Sequence, residues 1–296
     1  MSRLVRFAWF VLVFNVGVIL LGALVRATGS GAGCGRSWPT CQGEIVPALE
    51  GATAIEFSHR LFSGVALILV MALTVWTFRA VDKGHPARLG ASLSLVAIVG
   101  EALIGAMIVL AEWVADDASL ARTIAVPLHL VNTLFLLAAL TLTIFWLAGG
   151  GRLDWKRDRG VRTAVLLGGV AVVVISASGA VTALADTLFP SDGITADFSE
   201  GAHFLTRLRV LHPILAVLAA GLAWWFGGRA GRHRSRAVRA LPVLVGVLLV
   251  SGAVNVLLGV PTWMQLLHLA LADALWVVYV LASAEALSGQ PALAAT

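Results

Sequence analysis

Eight uninterrupted apolar runs govern what this chain can become. A helical segment of about 18 to 23 such residues, rising 1.5 Å each, crosses roughly 30 Å of hydrocarbon. The runs lie at about 7–25, 57–78, 89–110, 126–148, 163–184, 208–227, 240–258 and 263–283. They are rich in Leu, Val, Ala and Gly and lack period-2 alternation. Helices, which satisfy their own backbone groups, are therefore expected rather than barrel strands. Composition agrees: 59% hydrophobic residues, 12% charged residues and a mean hydropathy of +0.93 lie outside the range of a water-soluble domain. The expected fold class is an all-α integral membrane protein of eight transmembrane helices, with little chain left for a soluble domain.

Basic residues set the expected orientation. Of 21 Lys and Arg, 15 fall in the N-terminal tail (Arg3, Arg6) and in the loops around 79–88, 149–162 and 228–239. The positive-inside rule makes those segments, and with them both termini, cytoplasmic. The stretch "GGRAGRHRSRAVR", the net charge of +5 and the pI of 10.2 are then read as a topology signal, and no nucleic-acid partner is expected. The first span, though preceded by "MSRLVR", is too long for a signal peptide and lacks a convincing cleavage site, so it is kept as a transmembrane helix. Both cysteines, Cys34 and Cys41, stand in "CGRSWPTC" between the first two spans. On the oxidising face a disulfide is expected, serving either as a loop staple or as a redox-active pair.

Folding the chain at about residue 155 reveals an internal repeat. "LLGALVRATGSG" answers to "SASGAVTALADT", "EALIGAMIVL" to "SGAVNVLLGV", and "PLHLVNTL" to "LLHLALADAL". Two pseudo-symmetric four-helix bundles follow, residues 1–150 and 151–296, and such a duplication by itself chooses no function. The histidines say more. His59, His129, His212 and His268 each sit near the start of an even-numbered span, hence at similar depth near the outer face, whereas His85, His203 and His233 fall in loops. Ionisable groups inside a membrane are costly and mark functional sites. Two imidazoles facing each other from the second and fourth spans, and two more from the sixth and eighth, suit a planar macrocycle with iron between them. Zinc would want three or four converging ligands, and each half offers two histidines plus at best Glu56.

The halves are not equivalent. Glu56 stands three residues before His59, and Arg209 three before His212, each pair on one helical face. A carboxylate beside a haem ligand can accept protons or position a substrate group. Arg207 and Arg209 in the second half, and Arg26 and Arg60 in the first, can pair with haem propionates. Glu101 and Asp273 are candidates for proton paths or interhelical hydrogen bonds, Asn132 and Asn255 for interhelical contacts. Trp38, Trp113, Trp155 and Trp263 are read as interfacial anchors.

With those residues on the page, the chain resembles the haem A synthase family over essentially its whole length. The likeness rests on eight spans in two halves, the Glu-x-x-His-Arg motif as Glu56, His59 and Arg60, the further histidines His129, His212 and His268, and the Cys34/Cys41 pair. The resemblance implies oxidation of the C8 methyl group of haem O to a formyl group, giving haem A for terminal cytochrome oxidase. It implies the substrate haem in the first half at His59 and His129, a resident haem b in the second at His212 and His268, and Glu56 in proton transfer. It also implies a bacterial plasma-membrane location with haem sites toward the outer face. Haem O synthase, an electron-transfer partner and a second copy of the chain are the expected partners besides lipid. The alternative reading is a b-type dihaem cytochrome that passes electrons from quinol, which would need the same four histidines.

Overall fold

The computed structural model describes residues 2–156, 158–190, 194–229 and 236–289; His233 and the middle of the basic loop lie outside them. The helices are α1 (Arg3–Ala27), α2 (Gly51–Ala80), α3 (Pro86–Leu110), α4 (Leu120–Leu147), α5 (Arg159–Leu188), α6 (Ile194–Asp197), α7 (Phe204–Leu208), α8 (Leu211–Arg229), α9 (Arg236–Leu257) and α10 (Thr262–Ser288), with a 3₁₀ turn at Ser30–Ala32. Eight segments are long and apolar enough to cross a membrane, Phe204–Gly221 among them. Several helices overrun their apolar stretches because polar residues cap them. Ser2 and Ser119 accept from the backbone N–H groups of Val5 and Arg122, and Asp158 accepts from Val161. His85 and His203, expected in loops, cap α3 and α7 through Nδ1.

The sixth span is not one helix. Pro213 lacks an N–H, and its ring would clash with the carbonyl of Arg209 in a continuous helix. The chain breaks between α7 and α8, and the Arg209 carbonyl takes a bond from Thr182 Oγ1 at 3.4 Å instead.

Contacts within each half of the chain are consistent with two rings of four spans. In the first, α1 meets α2 and α4, and α3 meets α2 and α4; in the second, α5 meets α8 and α10, and α9 meets α8 and α10. The rings join where α4 and α1 pack against α5 and α10. Without water inside the membrane, helices associate through close backbone approach and interhelical hydrogen bonds. Accordingly α3 turns Ala87, Gly90, Ala91, Ser94 and Ala97 inward, all buried. Trp276 Nε1 donates to the Leu134 carbonyl at 2.7 Å, tying α10 to α4, and the Tyr279 hydroxyl bonds the Val165 carbonyl of α5. Large apolar side chains such as Val13, Val96, Val170 and Val250 remain exposed on the outside, as a lipid-facing surface requires.

Gly90 measures the tightness of this packing, since a Cβ there would stand 2.5 Å from Thr143 Oγ1 and 3.1 Å from its backbone nitrogen. Gly90→Ala is expected to destabilise the protein by about 1–3 kcal/mol. Gly17→Ala, whose Cβ meets nothing within 4 Å, should be neutral or stabilising by up to about 1 kcal/mol. Thermal unfolding of the two variants in detergent checks both signs.

Candidate functional site

A cavity of about 1950 Å³ runs through the centre of the molecule, lined by residues from all eight spans. Ordinary small-molecule pockets occupy roughly 300–1,000 Å³, so this one has room for more than one large ligand. All four span histidines line it, as do Glu56, Arg60, Arg26 and Arg209. Arg207 does not line it; its side chain is exposed on α7.

In the second half the His212 and His268 rings stand edge to face at 89°, with centres 6.3 Å apart. His212 Nδ1 lies 3.1 Å from the Ile175 carbonyl, which can only accept, so Nδ1 carries the hydrogen. Ser251 Oγ donates to the Leu248 carbonyl and therefore accepts from His268 Nδ1 at 2.8 Å. Both rings keep an unprotonated Nε2, the state in which imidazole binds a metal.

The first half is built differently. His129 Nδ1 lies 2.8 Å from Glu101 Oε2 on α3, and Asn132 Nδ2 donates to Glu101 Oε1 at 2.5 Å and to the Ala97 carbonyl at 2.9 Å. Glu101 is thus an interhelical partner and a partner of a cavity histidine at once. Glu56, 3% exposed, accepts from the Cys34 backbone N–H at 2.7 Å and from Arg60 Nε and Nη2 at 3.1 and 2.5 Å. Arg60 Nη1 donates to the Ser37 and Thr40 carbonyls. The Cys34–Cys41 disulfide forms, and the loop it closes is fastened to the helical turn that carries His59.

The acid-versus-base contrast between the halves is less simple than the sequence spacing suggests. Arg209 Nε lies 2.9 Å from Asp186, and its Nη1 lies 3.0 Å from Asp197. Its Nη2 donates to the Phe189 carbonyl at 2.6 Å. Two carboxylates from α5 and α6 therefore surround the second-half arginine. Arg26, assigned to the first half by sequence, reaches across the seam: it donates to Ala183 O, Thr187 Oγ1 and Gln265 Oε1 at 2.6, 2.6 and 2.8 Å. Asp273 is 1% exposed, and neither its oxygens nor Asn255 Oδ1 has a hydrogen-bond partner among the described residues; of the two roles read for Asp273, the proton path stays open. Trp155 and Trp263 are exposed near helix ends, whereas Trp38 and Trp113 line the cavity.

Residues 5–54 and 49–280 match the family described as cytochrome oxidase assembly protein. The chain belongs to the haem A synthase family. It is 28% identical over 272 residues to a haem A synthase of Exiguobacterium, covering 90% of this chain and 88% of that one. To a haem A synthase of Lysinibacillus sphaericus it is 38% identical over 140 residues, 46% of this chain and 45% of that one. A protein of Thermus thermophilus named protoheme IX farnesyltransferase is 48% identical over 297 residues, which is 97% of this chain but 49% of that relative's length. The chain thus spans about half of the Thermus protein. Family and helices together make it a multi-pass membrane protein.

Membership in the haem A synthase family implies haem, and the cavity fits one. With a metal–imidazole bond of roughly 2 Å, the 6.3 Å between ring centres in the second half is the separation that one metal atom shared by two imidazoles would need. Among the described residues no three His, Cys, Asp or Glu side chains gather into a metal cluster, so the tetrahedral set zinc prefers is not built. Each ring also backs onto a glycine of the preceding span. A Cβ on Gly22 would lie 3.0 Å from His59 Cε1, on Gly179 2.9 Å from His212 Cε1, on Gly252 3.3 Å from His268 Cε1 and on Gly105 4.0 Å from His129 Cε1. Sequence reasoning passed over these glycines and over Ser251, although all of them lie within the repeated motifs. Gly179→Ala should push the His212 ring aside and remove most of the haem absorbance of the purified protein. Gly246→Ala, with open space at its Cβ, should retain it.

Proposed function

We propose that the protein is a haem A synthase that oxidises the C8 methyl group of haem O to a formyl group. Residues 1–150 hold the substrate at His59 and His129, and residues 151–296 hold a resident haem b at His212 and His268. One observation carries this division. The first pair is set among carboxylates, with Glu101 on His129 and Glu56 one turn before His59, whereas the second pair is oriented by neutral carbonyl and hydroxyl groups. Taking a methyl group to a formyl group releases protons as well as electrons, so the pair with proton-accepting neighbours suits the chemistry. The neutral pair suits a retained cofactor. When bound, haem b supplies one-electron redox chemistry.

The chain's own residues do the rest. His59 and His129 would hold the substrate iron, and Glu56 would receive protons at its carboxylate. Arg60 holds the Glu56 carboxylate and the disulfide loop in one position, and the apolar lining excludes water. A farnesyl tail can stay among the lipid-facing helices while the ring enters between them. By the positive-inside rule the basic loops support a reading with both termini in the cytoplasm of a bacterial cell and the haem sites toward the outer face.

The name of the Thermus relative raises prenyl transfer as a second activity. This chain matches about half of that relative's length, and we propose that farnesyl transfer belongs to the half it does not match. A protein that joins both halves fits the expectation that this chain works beside a haem O synthase. An electron-transfer partner and self-association complete the expected set.

Haems extracted from cells that make haem O, with and without this protein, give the first test by chromatography with mass detection. Haem A or its alcohol intermediate should appear only with the protein. Haem O unchanged in active membranes, beside purified protein carrying haem b alone, would favour the quinol-linked dihaem cytochrome. Glu56→Gln, close in shape to the wild-type side chain, should slow the oxidation about a hundredfold or more while haem b stays bound. His212→Ala should lose haem b.

A further inference from the structure

Four arginines line the central cavity from helix ends, and they differ in what neutralises them. Arg60 is paired with Glu56, and Arg209 with Asp186 and Asp197. Arg26 and Arg122 have ion-pair partners in none of the described residues. Arg26 spends its Nη1 and Nη2 groups on a carbonyl, a hydroxyl and an amide oxygen. Arg122 is 4% exposed, and its Nη1 donates to the Ala115 and Asp117 carbonyls at 2.6 and 2.7 Å. Its Nε is buried with no hydrogen-bond partner among the described residues. The nearby Asp117 carboxylate is occupied by the Ser119 backbone N–H and hydroxyl, and that of Asp186 by Arg209; Asp116, also near Arg122, makes no ion pair with it. A buried guanidinium with an unmet donor is costly unless something else supplies the acceptor.

Position identifies what that is. Arg122 precedes His129 by seven residues, which puts both on one face of α4, two turns or about 10 Å apart along the axis. Arg26 follows Gly22, the glycine behind the His59 ring, by one turn. Since α1 packs against α4, with Arg26 in the last turn of α1 and Arg122 in the first turn of α4, the two cations stand at the same end of the first-half site. Both line the cavity.

We propose that Arg122, together with Arg26, is the seat for the carboxylate side chains of the macrocycle held between His59 and His129. This rests on the proposed division of the halves and adds to it the residue that fixes how the ring is turned. A planar fork meeting a carboxylate gives directional as well as electrostatic binding. Held by its carboxylates at this end, the ring can present only certain edges to Glu56 and Glu101, so Arg122 governs which substituent meets the proton-accepting groups.

The test uses the purified full chain with its second-half haem in place, titrated in detergent with ferric protohaem and, separately, with the dimethyl ester of the same haem. Binding is followed in the Soret band and counted as first-half binding where His129→Ala abolishes it. Arg122→Gln should weaken the diacid about tenfold or more and leave the diester as in the wild type. Arg122→Lys, which keeps the charge and loses the fork, should fall between. An unchanged diacid affinity in Arg122→Gln, or equal weakening of diacid and diester, overturns the assignment. Retained second-half haem serves as the folding check; should Arg122→Gln fail it, an unchanged diacid-to-diester ratio in Arg122→Lys overturns the assignment equally. A wild-type protein that takes up no haem in the first half would overturn the proposed function as well.

Discussion

The close approach of an imidazole ring to a glycine, repeated in both halves, is the constraint on which the site depends. A histidine inside a membrane helix must be met by a neighbour that admits its ring and a polar atom that fixes its orientation. Gly22 and Gly179 admit the rings of His59 and His212, and Gly252 that of His268. Ile175 and Ser251 then fix the hydrogens of the second pair. The bundle can close around a planar ligand only because these contacts hold the rings toward the central space.

Charge is arranged on the same logic. Glu56 is balanced locally by Arg60, and Arg209 by two aspartates. Local balance allows a charged residue to sit inside an apolar protein. Arg26 and Arg122, by contrast, meet only neutral hydrogen-bond acceptors among the described residues. The disulfide loop belongs to this arrangement, because the Cys34 backbone N–H and the Ser37 and Thr40 carbonyls are fastened to Glu56 and Arg60. A covalently closed loop thereby positions a carboxylate within one turn of a cavity histidine.

Much of this was legible in the sequence. Apolar run length fixed the eight spans, because in a bilayer a segment of that length and composition has few alternatives to a helix. The repeat and the four histidines were equally plain, since equivalent positions in two halves are a pattern along the chain. Glu56, His59 and Arg60 were readable because three and four residues along a helix are neighbours on one face.

What depends on contacts between distant segments was decided by tertiary structure alone. The reach of Arg26 to α5 and α10, the capture of Arg209 by Asp186 and Asp197, and the meeting of His129 with Glu101 join residues on different elements, and helical spacing says nothing about them. The sixth span was read as one run, and both its break before Pro213 and the bond from Thr182 to the freed Arg209 carbonyl emerged only from the structure. Arg122 was not singled out by its sequence position, and only packing shows it buried, lining the cavity and without a carboxylate ion pair among the described residues. Sequence by itself determined which segments are helices and which residues carry chemistry, because those follow from local periodicity and solvent. Only the packed structure decided which of those residues neutralise one another and which remain for a ligand, because that depends on distances across helices.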